Sequence, residues 1–63
     1  MFKVGQKVIC KQYGEGVVIK VIEDIHRTYL IEVDFLKGGW ACYTKDGKLF
    51  EDDAESSLSV IEE

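Results

Sequence analysis

The residues with the greatest chemical potential are two cysteines and one histidine, at Cys10, Cys42 and His26. A hydrolytic triad needs a nucleophile, a base and a carboxylate that orients the base. His26 falls in a predicted turn beside Arg27 and reads as a solvated turn residue. Nothing around either cysteine suggests the electropositive pocket that would make a reactive thiolate. A zinc site draws on paired ligands such as Cys-x-x-Cys, whereas these cysteines are single and distant. Glu51-Asp52-Asp53 is dense in carboxylate but lacks the alternating spacing of a calcium loop, and reads as a solvated acidic loop. Gly14-Glu15-Gly16 leads into no helix, so it does not read as a phosphate cradle. The sequence therefore predicts no enzyme, no metal and no cofactor, and points to a binding module.

Binding needs surface groups, and the aromatic residues supply candidates. Large rigid aromatics dominate contact hot spots. Within Trp40–Thr44, alternation places Trp40 and Cys42 on one face and Ala41 and Tyr43 on the other. If Ala41 and Tyr43 point inward, Trp40 lies at the surface beside Gly39. Tyr13, Trp40 and Tyr43 are the candidate aromatic surface, with Glu51, Asp52 and Asp53 as a candidate acidic loop. Two other readings stay open: Trp40 capping an open barrel end, and an aromatic cage around a methylated cation.

These residues need strands to position them. β-Branched and aromatic residues cluster in short runs bounded by turn formers. Phe2 and Val4 form a lead-in and Lys7–Cys10 a first strand. Lys11–Gly16 reads as a loop whose two glycines can take positive φ. Val17–Glu23 is a second strand, apolar on both faces except at Lys20, as befits a strand bent around a barrel. Tyr29–Phe35 alternates cleanly, placing Tyr29, Ile31, Val33 and Phe35 on one face. Gly38-Gly39 suits a hairpin before Trp40–Thr44. Asp46-Gly47 suggests a type I′ turn that folds Leu49-Phe50 back beside Ala41–Tyr43. Glu51–Leu58 allows one turn of helix at most, and Leu58–Ile61 closes the pattern as a short strand. Five or six short strands indicate one all-β domain over 1–63, a small barrel or curled sheet.

Composition agrees. Sixty-three residues enclose one core, and an apolar share of 46% is that of a globular chain. The net charge is −4 and the isoelectric point about 4.9. That balance argues against nonspecific nucleic-acid binding, although Lys3, Lys7, Lys11 and Lys20 make the first third basic. No opening apolar run of about 7–15 residues suggests a signal peptide. No run approaches the roughly 20 apolar residues of a membrane helix. A cytoplasmic protein with Cys10 and Cys42 as free thiols is the expectation. The apolar surface of VVIKVIE also admits a homo-oligomer.

Two resemblances carry these expectations further. Phe2-Lys3-Val4-Gly5-Gln6-Lys7-Val8 followed by Tyr13-Gly14-Glu15-Gly16-Val17-Val18 is similar to the first hairpin of SH3-like (Tudor/KOW-type) barrels. It looks especially like the RNA-polymerase-interacting domains of CarD-type regulators and transcription-repair coupling factors, with Gln6 in place of their usual Asp. Tyr29–Phe35, Gly38-Gly39, Tyr43–Lys48 and Ser57-Leu58 resemble a group of small uncharacterised proteins carried by phages and prophages. Leu30 and Ser56 stand where that group usually has proline. The resemblances imply a five- to six-stranded SH3-like barrel of mobile-element origin. They imply a protein-protein interaction module, acting on a host protein. One alternative is a transcription accessory domain that contacts RNA polymerase or nucleic acid. The other is an oligomer that sequesters a small molecule between barrels.

Overall fold

Short apolar alternations separated by turn residues form five antiparallel strands in the computed structural model, which describes residues 2–61. They are β1 (Lys7–Cys10), β2 (Gly14–Val21), β3 (Tyr29–Phe35), β4 (Trp40–Thr44) and β5 (Leu58–Val60). Their spatial order is β4-β3-β2-β1-β5, so a four-strand meander is followed by a last strand that returns beside the first. The sheet curls into a half-barrel around one core. Val8 and Cys10 on β1, Val18 on β2, Ile31, Val33 and Phe35 on β3, Tyr43 on β4 and Leu58 on β5 fill it. Each large apolar side chain there contributes about 1.5–3 kcal/mol by leaving water.

The curl has a local cause. Val18 faces Val33 and Lys20 faces Glu32, so Ile19 is an extra residue in β2. A bulge of this kind bends a strand and raises its twist. It also explains why VVIKVIE is apolar on both faces: Val18 is in the core, while Ile19 is half exposed on the bend. A second irregularity at Leu30 changes the phase of β3. Inward alternation therefore starts at Ile31. Tyr29 is only half-buried, and Leu30 packs against the core's edge.

β1, β3 and β4 have the bounds the sequence pattern predicts. β2 differs, beginning at Gly14 and ending at Val21 rather than running from Val17 to Glu23. Gly14 does turn, with φ of +84°. Gly16 plays another part. A Cβ there would sit 2.7 Å from the Asp34 carbonyl oxygen and 2.9 Å from a Phe35 ring carbon. Its lack of a side chain lets β2 pass close over β3.

The predicted return of Leu49-Phe50 along β4 does not occur. A type I′ turn needs positive φ at both central residues. Here Gly47 has φ of +80°, and among the described residues no non-glycine residue has positive φ. Gly47 donates its N–H to Thr44 O, and Thr44 donates to Lys48 O. The chain then leaves the sheet through Leu49–Ser56, which has no strand or helix. It returns where Ser57 and Leu58 both donate to the Gly47 carbonyl.

Candidate functional site

The curled sheet has two ends with different chemistry. At one end lie the β1–β2 turn and the β3–β4 turn, joined by the Leu36 N–H donating to Glu15 O. Here the Tyr13 ring packs on Phe35 with centroids 5.4 Å apart, and Phe35 meets Tyr43 edge-on at 6.5 Å. Tyr43 is wholly buried at the base of this stack. It therefore belongs to the core, not to the aromatic surface expected for it. The cause is the parity of β4: Tyr43 pairs with inward Ile31, whereas Trp40 pairs with outward Asp34.

The buried Tyr43 hydroxyl has no hydrogen-bond partner among the described residues. Burial, the nearby Cys10 thiol and Tyr13 all push its ionisation far above the ordinary range. The Cys10 thiol is itself donated to Gln12 Oε1 at 3.2 Å. Cys10 faces inward on β1 and Cys42 sits half-buried on β4; both are free. Burial also pushes the Cys42 thiol up, aided by the Glu32 carboxylate opposite it and opposed by Arg27.

The remaining aromatic candidates are exposed but separate. Trp40, 66% exposed, starts β4, the terminal strand of the sheet, and faces outward beside Asp34. Tyr13, 49% exposed, leans on the core side through Phe35. The two thus lie on opposite faces of the sheet and form no common patch. Near Trp40 in sequence, Leu36 in the β3–β4 turn is also exposed.

The acidic candidates diverge as well. Glu51 donates its N–H to the Tyr29 hydroxyl at 3.4 Å and borders the groove described below. Asp52 is exposed, and Asp53 accepts the Phe50 N–H through Oδ2, which closes a small turn. Lys11, one of the early lysines, pairs with Glu55 at 3.3 Å on the surface. His26 is exposed, and its N–H donates to Asp24 Oδ1. Among the described residues, no three His, Cys, Asp or Glu side chains converge as metal ligands would.

The opposite end of the half-barrel holds a groove of about 730 Å³. It lies between the β2–β3 loop and the turn after β4. Its floor includes Phe2, Val21, Leu30 and Ile31, where the core is incompletely covered. Its rim carries both signs of charge, Arg27, Lys45 and Lys48 among Glu23, Asp24, Asp46 and Glu51. Sequence reasoning passed over this groove because residues 24–27 read simply as a turn. The available signal was Ile25, an apolar residue between Asp24 and His26 with no strand to bury it.

No protein-family model matches this sequence, and neither a curated protein nor a solved structure shows significant similarity to it.

Proposed function

We propose that this chain is a non-enzymatic protein-binding module on an SH3-like (Tudor/KOW-type) barrel, with Trp40 at the centre of its contact surface. The observation that carries the reading is the position of Trp40. A tryptophan two-thirds exposed on the terminal strand combines a large apolar face with a neighbouring free strand edge. Aromatic anchors and strand addition are both recurrent means of binding a protein segment. The barrel reading is supported by the strand order, with β5 returning beside β1, and by the bulged β2 that both halves of the curl share. The phage-like sequence pattern favours a host protein as the partner.

The test is affinity capture from a bacterial lysate with the wild-type chain, Trp40→Ala and Tyr13→Ala, read by quantitative mass spectrometry. A protein enriched by wild type and reduced at least about tenfold by Trp40→Ala supports the reading, since a buried aromatic anchor is worth ~2 kcal/mol or more. Tyr13→Ala, on the other face, leaves that enrichment unchanged. Equal recovery by wild type and Trp40→Ala removes Trp40 from the contact surface. A complex that dissociates steeply between 50 and 200 mM salt and contains nucleic acid points instead to phosphate contacts.

A further inference from the structure

We propose that the groove is a self-association surface that takes the β2–β3 loop of a second copy of this chain, with Ile25 as the inserted side chain. Ile25 is 96% exposed at the edge of the groove. Its loop is fixed rather than slack. Asp24 Oδ1 accepts the His26 N–H, and the Asp24 carbonyl accepts the Arg27 N–H. This small turn holds Ile25 outward. A projecting apolar side chain and an apolar hollow on the same face are what a two-fold interface requires, because each copy then supplies one knob and one hole.

The charges select the same occupant. Three cations and four anions surround the groove. None of those charged side chains belongs to an ion pair among the described residues. A mixed rim opposes a strongly anionic or cationic partner, yet a copy related by two-fold symmetry can bring Arg27, Lys45 and Lys48 against Glu23, Asp24, Asp46 and Glu51. The groove is smaller than the roughly 800 Å² per partner of a standard interface, so a weak, concentration-dependent dimer is expected. Trp40 lies on the outward face and is left free for another partner.

The experiment is sedimentation velocity from about 1 µM to 1 mM, paired with amide chemical shifts over the same dilution. The wild-type chain is expected to shift from 7.2 kDa to twice that mass. The moving amides should fall in 21–31 and 44–51. Ile25→Asp should remain monomeric throughout, with an unchanged circular dichroism spectrum and the melting temperature of wild type at its most dilute, because Ile25 is 96% exposed in its own chain. Trp40→Ala should dimerise as wild type does. A monomeric wild type at 1 mM overturns the proposal and leaves the groove to a different ligand. So does a dimer that survives Ile25→Asp, or one whose shifts map to Trp40 and β4.

Discussion

The two ends of this half-barrel solve the same problem in opposite ways. Each has apolar residues that a small sheet cannot cover with strands alone. At the β1–β2 end, Tyr13, Phe35 and Tyr43 stack over one another and seal the core. At the β2–β3 end, no aromatic stack among the described residues covers the partly buried Val21 and Leu30, and a groove remains. The difference follows from turn length. A tight turn at Lys11–Tyr13 delivers Tyr13 directly onto Phe35. The longer segment between β2 and β3 instead projects Ile25 away from the body. A sealed end contributes stability, while an open end retains surface that association can use.

Substitutions break or sharpen this contrast. The largest effect belongs to the sealed end. Tyr43→Ala removes the base of the stack and should cost about 3–5 kcal/mol. That is most of the stability of a domain this small, so the variant should be largely unfolded by circular dichroism at 25 °C. Gly16→Ala, which forces a methyl group against Asp34 O, should cost about 1–3 kcal/mol in urea denaturation. Tyr43→Phe should act in the other direction. It removes a buried hydroxyl without a partner while keeping the ring, and should leave stability equal or raise it by up to about 1 kcal/mol.

The same variant has a pH signature. The folded state holds the Tyr43 proton above the ordinary tyrosine value of 10.0, so it binds more protons than the unfolded chain in alkali. The stability tied to that proton is complete below pH 10 and declines as pH rises beyond it. Tyr43→Phe should therefore lose less stability than wild type between pH 10 and 11. At the small end of the scale, Lys11→Ala breaks a surface pair whose side chains are mostly exposed and should change stability by less than about 0.5 kcal/mol. A comparable loss from Ile25→Asp and Tyr43→Ala would abolish the distinction between the two ends.

Much of this arrangement was legible in the sequence. Period-two alternation located β1, β3 and β4, and the parity of β4 separated Trp40 from Ala41 and Tyr43 without fixing which face is inward. What escaped had tertiary causes. Gly16 appeared to be a turn residue because local pattern does not register the backbone of β3 pressing on it. Asp46-Gly47 suggested a two-residue hairpin, but Gly47 alone took positive φ and the chain departed from β4. The assembly of Tyr13, Trp40 and Tyr43 into one surface failed because curling sends Tyr13 and Trp40 to opposite faces. The groove depends on how far residues 22–28 and 45–51 stand apart, a separation no local motif encodes.

The Gly47 carbonyl, which receives both Ser57 and Leu58, has a kinetic consequence. Hairpins β1–β2, β2–β3 and β3–β4 join near neighbours and can zip early. β5 has only three residues, and its anchors are Cys10 near one extremity and a turn deep in the second half. It has nothing to dock on until the meander has curled far enough to bring both anchors within reach. Closing a loop of that span carries an entropy cost before any contact compensates for it. Docking of this last segment is thus expected to complete refolding, with the amide protons of Ser57 and Leu58 gaining protection last in pulsed hydrogen exchange.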